Sequence, residues 1–342
     1  MTALLLLAGL LQPPVSWAQG PGSTSPVSRP TFNADEDEVF RKIEALIESH
    51  QFDQADHVLG ARVPQGEPAA AWYFRMGKLY FDHQVWSRAA NFLEKSLRLE
   101  HRNDQAHLLL GLAWRQLHQP EKAEAELQEA TRENPRSELD AYMAGHQLLI
   151  DEKPEAALGY LYRAVELNPN RADALRAMGM AQARLGNYGL AESYYRRAVE
   201  AAGPSRPESA AACADLAFLL LLTHDPAQLR EGLKYATQAA GLNPSLGDAH
   251  YLVGKALLKL GRVQEAVQEL EKAEKLDPDD SKPHFLLVEV SERLGEKDRA
   301  RSERKAFGRT RQAAHPGGMA TGSSWPQSPE SLRKSDYTER LK

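Results

Sequence analysis

Histidine, cysteine and acidic side chains are the groups in this sequence that could bind a metal ion or attack a substrate. The chain of 342 residues contains eleven histidines but only one cysteine, Cys213. A single cysteine excludes an intrachain disulfide and any metal site built from several thiolates. The sequence also lacks a Walker-type phosphate loop, an HExxH zinc motif and a dinucleotide-binding fingerprint. Chemistry would therefore depend on histidines and carboxylates that the fold brings together.

Two acidic runs and the cysteine have simpler interpretations. NADEDEVF (residues 33–40) and DPDD (residues 277–280) stand where helices are predicted to begin, and carboxylates there complement the positive helix end. Neither run has the central glycine and regular oxygen ligands of a calcium loop. Cys213 is expected to be a small buried residue, because no base stands near it to activate a nucleophile.

The elements that must position these side chains repeat along the chain. Four glycines recur 34 residues apart, a fifth fits the same frame further along the chain, and an alanine follows each of the five after twelve residues. Numbering the glycine as position 8 of a unit puts the alanine at position 20 and a large residue at position 24. Position 8 is Gly77, Gly111, Gly145, Gly179 and Gly254; position 20 is Ala89, Ala123, Ala157, Ala191 and Ala266; position 24 is Leu93, Leu127, Leu161, Tyr195 and Leu270.

This spacing resembles the tetratricopeptide repeat family, whose unit is a helix–turn–helix of about 34 residues. The resemblance implies an all-α fold, a right-handed α-solenoid of about eight units that begin near residues 36, 70, 104, 138, 172, 210, 247 and 281. The unit at 36 matches weakly, with Ile43 at position 8. The unit at 210 separates its small residues, Ala217 and Gly232, by fifteen and predicts a longer turn. Arg304 replaces the large residue of the last unit and predicts a polar cap.

The two ends of the sequence differ from the repeats. An apolar run, two prolines and Ser16-Trp17-Ala18 predict a signal peptide over residues 1–18, although no Lys or Arg precedes the run. A buried N-terminal helix is the alternative. Residues 19–35 are predicted as a disordered linker, 36–312 as the solenoid and 313–342 as a disordered tail containing Trp325. The chain is expected to be exported to the periplasm or the extracellular space, without membrane insertion after cleavage.

The repeat frame explains the histidines without a metal. His107, His250 and His284 all occupy position 4, and equivalent positions lie about one repeat apart. They are therefore not expected to converge on one ion. We predict no metal site, no cofactor and no catalytic residue, so the chain is not expected to be an enzyme. The formal net charge of −5 gives no support to nucleic-acid binding.

The family resemblance implies that the first helices line a concave groove. Six Lys or Arg residues and three Asp occupy the implied groove positions. An interaction scaffold is the expected function, with an acidic protein or peptide segment, or a free C-terminal carboxylate, as partner. The expected peptide-binding residues are Phe74, Lys78, Arg115, Tyr142, His146, Arg176, Arg184, Phe218, Tyr251, Lys255 and Lys259.

Two alternatives remain open from the sequence. The predicted groove face could be an ordinary solvated helix surface. The protein would then be a structural spacer, or an accessory subunit of an envelope or secretion complex, that uses its convex face.

Overall fold

The computed structural model describes residues 34–61 and 68–314. The predicted signal peptide, nearly all of the predicted linker, and the tail from residue 315 with Trp325 lie outside the described residues. None of the helices in the described ranges combines the length and the apolar character needed to cross a bilayer.

Sixteen α-helices, with no strand, make up the described part of the chain, so the all-α solenoid prediction is confirmed. Consecutive helices pack in pairs, and each pair packs on the next. The helices are α1 (Ala34–Glu48), α2 (Phe52–Gly60), α3 (Pro68–Asp82), α4 (Trp86–Leu99), α5 (Asp104–Gln116), α6 (Pro120–Glu133), α7 (Glu138–Ile150), α8 (Pro154–Leu167), α9 (Ala172–Arg184), α10 (Tyr188–Ala202), α11 (Ala210–Leu220), α12 (Pro226–Leu242), α13 (Gly247–Lys259), α14 (Val263–Leu276), α15 (Ser281–Leu294) and α16 (Lys297–Ala314).

Local sequence signals set where the helices begin. The Asn103 side chain accepts a hydrogen bond from the Ala106 amide at the start of α5, and Ser137 serves α7 in the same way. Several second helices begin with a proline, whose missing amide donor costs nothing in the first turn. These signals mark the helix starts in several of the units but not in all of them.

Seven of the eight turns inside the helix pairs need a left-handed backbone at one fixed position, the exception being the longer turn between α11 and α12. Gly186 and Gly261 meet this need with φ near 80°, as does Gly295 with φ 78°. His118 and Glu152 stand at the equivalent place in their units with φ 56° and 58°. His50 occupies the same place in the first unit with φ 58°.

The position-8 glycine lies beneath the large residue at position 24. A Cβ added to Gly254 would come within 2.6 Å of Leu270 Cγ, and within 3.3 Å of the Ala266 carbonyl oxygen. The same close approach recurs at Gly77, Gly111 and Gly145. The small residue therefore makes room chiefly for the Leu or Tyr of the partner helix, and less for the alanine at position 20.

The two irregular units keep the solenoid continuous. Five residues separate α11 from α12, against three in the regular turns, and α12 is 17 residues long. At the C-terminal end, Phe307 of α16 is buried against Phe285, with ring centroids 5.7 Å apart. Arg304 lies half exposed and bonds Glu292. The last helix therefore presents an apolar inner face and a polar outer face.

Candidate functional site

Five of the eleven predicted groove residues form one group on three successive first helices. We call Arg115 of α5, Tyr142 and His146 of α7, and Arg176 and Arg184 of α9 the central cluster. Each lies partly buried, because the neighbouring first helix covers its stem. The other six predicted residues lie outside this cluster, two of them in α3 and four in α11 and α13.

His146 is the centre of this cluster. Burial lowers the pKa of His146 to about 3, and the positive charges of Arg115, Arg176 and Arg184 add to this effect. The imidazole is therefore neutral at physiological pH. Its Nδ1 atom is buried and has no hydrogen-bond partner among the described residues.

Arg115 stands beside His146 with one buried nitrogen unsatisfied. Its Nη1 atom makes no hydrogen bond within the described part of the chain. Burial lowers the pKa of this guanidinium. A buried polar atom without a hydrogen-bond partner lowers the stability of the fold. A ligand with a polar group that bonds Arg115 or His146 would therefore be bound more tightly.

The aromatic ring of Tyr142 lies between the His146 ring and the Arg171 guanidinium. Its ring lies 5.6 Å from the His146 ring, and the Arg171 guanidinium sits 4.9 Å from its centroid. Burial raises the pKa of Tyr142 to about 12, so the phenol keeps its proton. The ring can therefore hold an apolar or charged group by contact without carrying a charge itself.

Arg176 has an internal partner that the sequence reasoning missed. Its Nε atom donates to Asp215 Oδ2 over 2.6 Å, and the Asp215 side chain is only 10% exposed. Burial lowers the pKa of Arg176, but the carboxylate of Asp215 more than offsets this and raises it. A lone aspartate in the apolar helix α11 was the available signal, since such a group needs a partner.

Arg184 and Lys259 occupy position 13 of their units and bind helix ends. Arg184 Nη1 donates to the Leu149 carbonyl near the end of α7. Lys259 Nζ donates to the Leu221 and Thr223 carbonyls, over 2.6 and 3.2 Å, just after α11. Cations there satisfy carbonyls that the helix leaves open. Both residues, predicted to bind peptide, thus take part in joining adjacent units.

Lys259→Met is expected to lower the free energy of unfolding by roughly 1–2 kcal/mol, because two carbonyls lose a charged donor. Lys78→Met is the matched control. Lys78 bonds Asp82 in an exposed pair, and its loss should cost less than about 0.5 kcal/mol. Urea denaturation monitored by circular dichroism measures both variants. Equal losses would argue against a capping role for Lys259.

The C-terminal predicted residues pack together. Phe218 and Tyr251 are both 4% exposed, so they lie under the surface and do not line an open groove. Lys255 Nζ covers both rings, at 5.2 and 5.5 Å from their centroids. Both rings therefore belong to the core between units, and the half-buried Lys255 lies above them.

The N-terminal pair is the most ordinary part of the predicted set. Phe74 is half-buried against the core of the first units. Lys78 is 52% exposed and pairs with Asp82. Within the described residues, neither Phe74 nor Lys78 forms a hydrogen bond or an ion pair with a member of the central cluster. The groups available to bind a ligand are therefore Arg115, Tyr142 and His146.

Comparison with known proteins gives the relationship of the chain. Anaphase-promoting complex subunit 3 from Schizosaccharomyces pombe is 25% identical over 208 residues, which cover 61% of this chain and 30% of that protein. The chain thus spans under a third of that curated relative. PilW, a type IV pilus biogenesis factor, is 22% identical with a TM-score of 0.56 and covers 65% of this chain and all of its own.

A larger assembly shares the fold over more of the chain. The structure of the APC/C hetero-tetramer Cut9-Hcn1 matches 93% of this chain and 57% of its own with a TM-score of 0.58, at 13% identity. A family model described as tetratricopeptide repeat matches residues 74–138, 142–207 and 227–281, together more than half of the chain. With the helix pairs and the glycine packing described above, this match shows that the chain belongs to the tetratricopeptide repeat family.

Proposed function

We propose that the protein is a non-catalytic interaction scaffold whose first helices bind a peptide segment with a carboxylate at the central cluster. One observation carries this proposal: Arg115 Nη1 and His146 Nδ1 are buried polar atoms without partners on adjacent first helices. A carboxylate can accept hydrogen bonds from both sides. Charge-assisted bonds of this kind are about twice as strong as neutral ones.

The electrostatics of the cluster favour an anion over a neutral group. Three arginines lie close enough to His146 to lower its pKa. The Arg176 charge is offset by Asp215, whereas no carboxylate bonds Arg115 within the described residues. A ligand carboxylate would supply the missing countercharge. The Tyr142 ring would then contact the neighbouring part of the peptide.

The family and its relatives support the scaffold class. Tetratricopeptide repeat proteins serve as protein-interaction scaffolds, and the names of the relatives include a subunit of the anaphase-promoting complex and a pilus biogenesis factor. The partner of this chain is a separate question. We infer a protein or peptide ligand from the cluster itself, and neither a cofactor nor nucleic acid enters the proposal.

Binding to an acidic peptide tests the proposal. Arg115→Glu is expected to weaken the binding of peptides ending in Asp or Glu by about tenfold, because it removes a charged donor and adds a repelling carboxylate. Arg132→Glu makes the same charge change in the same unit, on an exposed side chain of α6. Fluorescence anisotropy against a labelled acidic peptide library measures both. Equal affinities of the two variants would overturn the groove model.

Scaffolding through the outer surface is the second candidate function. Large apolar side chains are exposed on two neighbouring second helices: Tyr162 of α8 at 63%, and Tyr188 and Leu190 of α10 at 52% and 53%. Such residues favour a spacer or accessory subunit that binds through this side. Partner recovery that depends on Tyr162 and Leu190 but not on Arg115 would support this second function.

Export remains part of the proposal and rests on the sequence of residues 1–18. The apolar run followed by small residues is typical of a secretory signal. Expression with and without residues 1–18, followed by cell fractionation, tests it. Recovery of both forms in the cytoplasm would contradict export.

A further inference from the structure

Three first helices carry a histidine that bonds a glutamate of the paired second helix. The Nδ1–Oε distances are 2.7 Å for His107 and Glu126, 2.7 Å for His250 and Glu269, and 2.8 Å for His284 and Glu303. Each pair spans nineteen residues. The first two pairs are therefore internal references against which the third can be judged.

The pair in the last unit has an additional carboxylate. Glu274 of α14 brings Oε1 to 3.9 Å from His284 Nδ1. The residue 34 positions earlier, beside the His250 pair, is Ala240. The ligand atoms of Glu274, His284 and Glu303 all lie within 4.8 Å of one another. Only this copy of the motif combines three potential ligand atoms in the described part of the chain.

Few positively charged groups balance the carboxylates of Glu274 and Glu303 beside His284. His284 is 5% exposed and Glu303 is 14% exposed. Neither Glu274 nor Glu303 forms an ion pair with Lys or Arg among the described residues. Of the two reference glutamates, Glu269 binds Lys272 over 2.7 Å, while within the described ranges Glu126 bonds only His107. Two carboxylates around a buried imidazole favour a cation between them.

We propose that His284 Nδ1, Glu303 and Glu274 form a binding site for a divalent transition-metal ion such as Zn²⁺. One nitrogen and two carboxylate oxygens match the ligand set that zinc accepts, whereas Ca²⁺ and Mg²⁺ prefer oxygen ligands alone. A water molecule would complete a tetrahedral shell. The histidines do not converge with one another, as the sequence predicts; the site instead uses one histidine and two glutamates from α14, α15 and α16.

Such a site would join the last two units of the solenoid. Glu274 belongs to the second helix of one unit, while His284 and Glu303 belong to both helices of the next. A bound ion adds stability to the folded state in proportion to the logarithm of its free concentration. Neighbouring repeats stabilise one another through their interfaces, so a link across one interface adds to the stability of both units.

Zinc titration of the full chain tests the site. After treatment with EDTA and buffer exchange, calorimetry with Zn²⁺ is expected to show one equivalent bound, and the thermal midpoint should rise. Glu274→Ala, which restores the residue found beside the His250 pair, should reduce zinc affinity by about tenfold or more. Because Glu274 is 35% exposed, this variant is expected to fold.

The control variant removes the carboxylate charge of Glu269 in the His250 reference pair. Glu269→Gln should leave zinc affinity and the midpoint shift unchanged. The proposal is overturned if the wild type binds no zinc, if Glu274→Ala binds it as tightly as the wild type, or if Glu269→Gln weakens binding as much as Glu274→Ala.

Discussion

Replacing Gly179 with leucine is expected to lower the free energy of unfolding by roughly 2 kcal/mol. A Cβ at this position would lie 2.6 Å from both Cδ1 and Cε1 of Tyr195, whose ring is 1% exposed. The rigid ring cannot move aside as an aliphatic chain can. Overpacking of about 3 kcal/mol therefore exceeds the helix-propensity gain of under about 1 kcal/mol for removing a glycine.

The same substitution at Gly159 is the matched control. Gly159 lies on α8, where an added Cβ would meet nothing within 4 Å. Gly159→Leu should therefore stabilise the protein by about 0.5–1 kcal/mol through helix propensity. Urea denaturation by far-ultraviolet circular dichroism compares the two. A change of the same sign in both variants would contradict the packing of glycine under the position-24 side chain.

The Gly179→Leu substitution should also weaken the coupling between the units on either side of it. Neighbouring units stabilise one another through their interfaces, so a weakened central unit uncouples the two sides. Hydrogen exchange should then show faster exchange of amides in α9 and α10 than in α13 and α14. The Gly159 variant should keep the wild-type pattern.

The helix pairs were predictable because their determinants recur. In five of the units a glycine at position 8 meets a large residue at position 24, and this repeated spacing identifies the contact. The unit containing α11 was less predictable, since its longer turn shifts the second helix. Gly232 there faces Leu221 and Leu220 and still serves the same purpose at a different offset.

The candidate site was predictable only in part, because periodicity locates a side chain without giving its partner. It placed Arg115, Tyr142 and His146 on successive first helices, and these three do lie together. It could not show that Arg176 pairs with Asp215, across the irregular spacing between two units. Nor could it show that Lys259 reaches carbonyls of the preceding turn.

Lowering the pH from 7 to 5 is expected to cost the wild type about 2 kcal/mol of stability through His146. The folded state holds the pKa of this imidazole at about 3, because burial and three arginines disfavour its charged form. The unfolded chain has the ordinary value near 6.5 and takes up a proton below it. The unfolded state therefore binds more protons in this window, so stability falls as the pH falls.

Comparison of His146→Gln with the wild type isolates this effect. The raised pKa values of His107 and His284 act in the opposite sense but are shared by both proteins. The free energy of unfolding of His146→Gln should fall by about 2 kcal/mol less over this range. His57→Gln, at an exposed position of α2, should behave as the wild type. Parallel pH dependence of all three proteins would show that His146 is not held neutral.

The same imidazole links stability to ligand binding. A carboxylate placed between Arg115 and His146 favours the protonated imidazole and raises its pKa. Binding of an acidic peptide should therefore take up protons and strengthen as the pH falls from 7 to 5 in the wild type. In His146→Gln the affinity should lose this dependence while Arg115 still binds the carboxylate. Calorimetry in buffers of different ionisation enthalpy separates the two contributions, because only the wild type should exchange a proton with the buffer on binding.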